Sequence, residues 1–76
     1  MSIGRIQKEK LKVLGKRVKA VRNKKGLTLK ELSYSIGKDP QSIHRLEIGD
    51  VNPSYLYLLE LCKGLEIEIS DLLSDL

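Results

Sequence analysis

Three times along this chain a helix terminator is followed within a few residues by a helix initiator, and that punctuation limits the fold more than any other feature. Gly26 follows Lys24 and Lys25, cations suited to a helix C-terminus. Thr28-Leu29-Lys30-Glu31 then has capping-box spacing: Thr28 accepts from the Glu31 amide, and Glu31 reaches back to Thr28. Leu27 and Leu32 take the staple positions around it. Gly37 stops this second helix early. Asp39 is a good N-cap and Pro40 a good first helical residue, which predicts a third helix from about 40 to 48, ending at Gly49. Asn52-Pro53-Ser54 opens a fourth, through about Lys63, and Ser70 is placed to cap a last short helix over 71–76.

Hydrophobic spacing fills in the faces. Leu11, Leu14, Val18 and Val21 lie on one side of a first helix. In the fourth, Tyr55, Leu58, Leu61, Cys62 and Leu65 form the expected core stripe, which leaves Leu56 and Leu59 surplus. Leu65 to Ile69 alternates like a strand, but a lone strand has nothing to pair with, so an extended connector is expected there. The expectation is an all-α domain of five helices over residues 13–76. Residues 1–12 form a basic N-terminal extension that either continues the first helix or makes a loose arm.

Composition removes several classes of function. A chain of 76 residues buries only roughly 60% of the surface its unfolded form exposes, so its stability is thin. Cys62 is the single cysteine, which excludes an internal disulfide. With His44 it completes the soft metal ligands, too few for zinc, and no cofactor is expected. No apolar run approaches the ~20 residues of a membrane span and no signal-peptide pattern is present, so the expected location is cytoplasmic. His44 has only Glu47 one turn away, a poor start for catalysis.

Charge is distributed unevenly. Residues 1–45 carry a balance of +10 and residues 46–76 a balance of −6. Ten of the basic side chains fall in the first 25 residues. Such asymmetry fits a polyanion on one side, or a solvated basic helix face.

The two short helices around Gly37-Lys38-Asp39 have the helix-turn-helix arrangement, whose second helix can enter the DNA major groove. Leu14-Gly15-Lys16-Arg17-Val18, Val21-Arg22, Lys25-Gly26-Leu27-Thr28, Glu31-Leu32, Ile36-Gly37, Ile43, Leu46-Glu47, Gly49 and Asn52-Pro53-Ser54 carry a specific pattern. The tail Leu65, Ile67, Ile69, Leu72-Leu73 completes it. The pattern resembles the Cro and phage-repressor type of DNA-binding domain, the XRE family, over about residues 14–73.

The resemblance implies a lambda-repressor-like fold and a transcription regulator that reads double-stranded DNA. It also implies an ion pair between Arg22 and Glu47. With Ile43 and Leu46 facing the core, base readout falls to Gln41, Ser42, His44 and Arg45. Thr28, Lys30, Lys38, Asn52 and Ser54 are the phosphate candidates. The basic first helix contributes long-range attraction. Departures from the pattern are Leu29 for a frequent Gln, Lys38 for an apolar residue, Pro40 for a polar reader, Asp50-Val51 for basic residues and Glu66 for a glycine.

One recognition helix covers few base pairs, so a homodimer on a near-palindromic operator is expected. Leu56 and Leu59, with Leu72, Leu73 or Leu76, are the interface candidates. The exposed leucines and acidic C-terminal third also suit a protein partner, a toxin gripped by an antitoxin or RNA polymerase. The size suits a restriction-modification controller protein as well.

Overall fold

The computed structural model describes residues 4–76, and the first three residues of the basic extension lie outside it. Five helices follow in order: α1 Arg5–Lys24, α2 Leu29–Ile36, α3 Pro40–Glu47, α4 Tyr55–Leu65 and α5 Ile69–Leu73. Each boundary has a local cause. At the start of α2, the Glu31 amide donates to Thr28 Oγ1 at 3.0 Å, and the Thr28 amide donates to Glu31 Oε1 at 2.9 Å. The Thr28 amide, and after it the Thr28 hydroxyl, hold the Glu31 carboxyl below its ordinary range, because hydrogen bonding from either favours the ionised form. Asp39 caps α3 by accepting from the Gln41 amide at 3.0 Å, and Ser54 caps α4 by accepting from the Tyr57 amide at 3.1 Å. Gly37 ends α2 with φ of 64°, a left-handed turn that lets the Lys38 amide reach the Ser33 carbonyl at 2.9 Å.

α1, α2, α3 and α4 converge on a core of Leu14, Val18, Leu32, Ile43, Leu46, Leu58, Leu61, Cys62 and Leu65, closed by Leu72 from α5. Burying the larger of these side chains contributes about 1.5–3 kcal/mol each against leaving them in water. Burial pushes the Cys62 thiol pKa up, and the charges of Asp71 and Glu68 push the same way, so the thiol stays protonated as a packing group. Arg17 ties α1 to the end of the chain by donating to the carbonyls of Leu72 and Ser74.

The first helix runs unbroken from Arg5, so residues 5–12 follow the first of the two alternatives for the basic extension and continue it. The structure departs from the sequence-based expectation in three places. Tyr55 is 62% exposed at the first position of α4, overhanging the edge of the core. Tyr57, four residues before Leu61, is the tyrosine that packs inward. The connector is only Glu66 to Glu68, because α4 continues through Leu65 and α5 already begins at Ile69. Finally, α5 is opened by Glu68, whose amide donates to Asp71 Oδ2 at 2.9 Å, and not by Ser70.

Glu66 stands in the left-handed region with φ of 57°, where its Cβ is strained and glycine is not. Its side chain is exposed, so nothing is lost with it. Glu66→Gly is expected to raise stability by up to about 1 kcal/mol, read as a higher denaturation midpoint at unchanged slope.

Candidate nucleic-acid interface

α3 is held from behind. Ile43, Leu46 and Glu47 are buried, and the helix packs on both α1 and α2. Arg22 Nε donates to Glu47 Oε2 at 2.7 Å and Arg22 Nη2 to Glu47 Oε1 at 3.1 Å, a two-pronged pair with both side chains nearly out of solvent. The third prong, Arg22 Nη1, donates to the Leu27 carbonyl at 2.7 Å. Bonding to Glu47 raises the Arg22 pKa further above its ordinary value, outweighing the opposing effect of burial. One guanidinium therefore locks α1, the turn before α2, and α3 together.

With those faces buried, Gln41, His44, Arg45 and Ile48 are left exposed on the outer side of the helix and its end. Arg45 Nε lies 3.6 Å from Asp50 Oδ2, both side chains more than half exposed. Such a pair is worth little and releases Arg45 easily. Gln41 presents an amide suited to adenine and Arg45 a fork suited to guanine N7 and O6.

Two residues expected at the interface are committed elsewhere. Ser42 donates its hydroxyl proton to the Asp39 carbonyl at 2.7 Å, and its oxygen lies 2.8 Å from the Tyr57 hydroxyl. A carbonyl can only accept, so Tyr57 is the donor in the second bond and Ser42 has no proton left for a base. Lys38 places Nζ 2.6 Å from Glu60 Oε2 and 5.0 Å from the centre of the Tyr57 ring. It reaches from the turn to α4. Sequence spacing missed Tyr57 as the residue joining these two side chains, since it sits fifteen or more positions away from both.

Of the remaining phosphate candidates, Thr28 and Lys30 are exposed at the start of α2, and Asn52 and Ser54 are exposed after α3. The capping box uses the Glu31 and Thr28 amides, leaving those of Leu29 and Lys30 without intrahelical partners. Thr28 and Ser54 accept through their hydroxyl oxygens; the Ser54 proton is left to donate, whereas the Thr28 hydroxyl also faces the Glu31 carboxylate.

The interface candidates for a second copy divide in the same way. Leu56 is 68% exposed on α4, and Leu59 and Leu73 are exposed to a smaller extent. Leu72 is fully buried and Leu76 half-buried against the core, because α5 folds back to close the domain. Leu72 is thus a core residue and not a surface for pairing.

α1 borders the same face. Lys12, Lys16 and Lys19 line one shallow groove with His44, Glu47 and Ile48, and Lys8 and Lys12 line the next with Ile48 to Asn52. Among the described residues no three His, Cys, Asp or Glu side chains gather to hold a metal, and no helix is long and apolar enough to cross a membrane.

A family model described as helix-turn-helix matches residues 18–72. The restriction-modification controller protein C.AhdI from Aeromonas hydrophila is similar in structure, with 32% identity and a TM-score of 0.80 over 82% of this chain and 94% of that one. The clp gene regulator ClgR from C. glutamicum is similar at 30% identity and a TM-score of 0.80, over 84% of this chain and 83% of its own. No curated protein sequence matches this chain. The all-α fold, the two short helices around Gly37 and the exposed outer face of α3 agree with these matches. The chain belongs to the helix-turn-helix family, as an XRE-type DNA-binding domain of a transcription regulator.

Proposed function

We propose that the protein is a sequence-specific transcription regulator that binds a near-palindromic operator in double-stranded DNA as a homodimer, without a cofactor or catalytic activity. The observation that carries this reading is the outer face of α3. Gln41, His44 and Arg45 project from a helix whose back is fixed by the buried Arg22–Glu47 pair. Gln41 and Arg45 read base edges, with His44 beside them, while Thr28, Lys30, Asn52 and Ser54 set the register on the phosphates. A +10 N-terminal portion draws the duplex in, and the −6 remainder faces away. The controller and regulator names of the structural neighbours support a role in transcription.

Pairing uses the exposed leucines of α4, Leu56 and Leu59, with Leu73 at the end of α5. Two-fold symmetry then sets the recognition helices about 34 Å apart, one turn of DNA. Selection of bound duplexes from a random pool tests both parts. A recovered palindrome with half-sites one turn apart is the expected result, whereas no enrichment would remove sequence-specific binding. In the same assay, Arg45→Ala is expected to lose discrimination at one base position per half-site, about 1–3 kcal/mol, while the others persist. Uniform weakening on all sequences would instead make Arg45 a phosphate contact.

A further inference from the structure

We infer that α1 carries a second DNA-contacting surface, a lysine rail of Lys8, Lys12, Lys16 and Lys19 that grips the phosphodiester backbone beside the groove occupied by α3. The inference rests on the DNA-binding reading above and extends it to α1. Helical spacing puts these four residues on one face of α1, and all four are exposed. The face is not remote from the recognition helix. At Gly15 a Cβ would collide with the carbonyls of Leu46 and Glu47, and at Gly49 one would stand 2.9 Å from the Lys12 Cα. α1 therefore runs backbone-to-backbone along the end of α3, and its lysines border His44, Ile48 and the loop to Asn52.

Carboxylates are few beside the rail. The carboxylates along these grooves are Glu47, held by Arg22, and Asp50, beside Arg45, while Glu9 lies next to Lys8 and Lys12 at the outer end. None of the four lysines makes an ion pair among the described residues. Like charges four residues apart repel one another on a helix, so a polyanion laid along them relieves a standing repulsion. The rail is about 16 Å long from Lys8 to Lys19, enough to follow a strand past the edge of the major-groove contact. Lys8 and Lys12 lie ahead of the residues that carry the family pattern, so half of the rail belongs to the extended part of α1.

The test compares two triple variants of equal charge. Lys12→Gln/Lys16→Gln/Lys19→Gln removes three of the four rail lysines, whereas Lys10→Gln/Lys24→Gln/Lys25→Gln removes three exposed lysines from other faces of the same region. Affinity for the selected duplex is measured between 50 and 200 mM salt, with thermal melting to establish that both variants fold. For the rail variant, the slope of log affinity against log salt is expected to flatten by about 2–3, near one per lost phosphate contact. Its selected sequence is unchanged, and backbone protection shrinks on one flank of the footprint. The control variant keeps most of the slope and the full footprint. Equal losses in the two variants would reduce α1 to general electrostatic attraction and overturn the rail. Failure of the unmodified protein to bind any duplex would overturn the DNA-binding reading itself, and the rail with it.

Discussion

Arg22→Ala is expected to lower the stability of this domain by about 3–5 kcal/mol, and Glu47→Ala by a similar amount. Each substitution leaves a charge where solvent barely reaches: side-chain exposure is 9% for Arg22 and 2% for Glu47. Arg22→Ala also strands the Leu27 carbonyl. Domains of this class have only about 5–15 kcal/mol to lose, so either variant should melt more than about 12 °C lower. Removing both charges has a different outcome. Arg22→Met/Glu47→Leu fills the space without burying a lone ion, and is expected to recover most of the loss seen in the single variants. Unchanged melting temperatures in both single variants would show that the pair is solvated and that α3 is held by its apolar contacts alone. Operator affinity should follow stability in the singles, since an unfolded domain presents no recognition helix.

Gly15→Ala is the second large effect, and its sign is the informative part. Gly-to-Ala within an exposed helix ordinarily stabilises by about 1 kcal/mol. Here Gly15 is buried, and a Cβ would press on the carbonyls of Leu46 and Glu47, the last turn of α3. Those are backbone atoms, so no side chain can rotate away; the helices must separate. We expect a net loss of about 1–3 kcal/mol, with Gly15→Val worse, measured by denaturant titration. Displacing α3 from α1 also disturbs Glu47 against Arg22, so operator affinity should drop by more than folding alone explains. A stabilised Gly15→Ala protein would mean that α1 and α3 do not touch backbone to backbone.

These two effects mark the line between what the residue order makes legible and what it hides. The Thr28–Glu31 box, the Asp39-Pro40 start and the left-handed stop at Gly37 were readable because each closes hydrogen bonds within three to five residues. Spacing along the chain is then nearly spacing in space. From these boundaries follow the helix-turn-helix unit and the exposed outer face of α3. The left-handed turn at Glu66 was not among them, since a glutamate gives no such signal and the segment reads as extended.

Other assignments depended on partners far along the chain. Ser42 and Lys38 look like free polar groups until Tyr57 and Glu60 of α4 arrive beside them. Tyr55 and Tyr57 are both near the start of the same helix, and it is Tyr57 that meets Ser42 and Lys38 and packs inward, while Tyr55 stays exposed. Leu72 and Leu73 are neighbours, yet the fold-back of α5 buries the first and leaves the second at the surface. The lysines of α1 were visible as charge, but not as neighbours of His44 and Ile48, because two glycines let the helices approach.

The sequence by itself determined where each of the first four helices starts or stops, that α3 turns a polar face outward, and that basic charge gathers at the N-terminal end. Capping and periodicity are short-range, so composition and order specify them directly. Only the tertiary structure decided which polar groups remain free for DNA, which leucines remain free for a second copy, and which face of α1 lies beside the recognition helix. Those are outcomes of competition between side chains brought together by packing, and a hydrogen-bond donor or apolar surface is available to a partner only when the fold has not already used it.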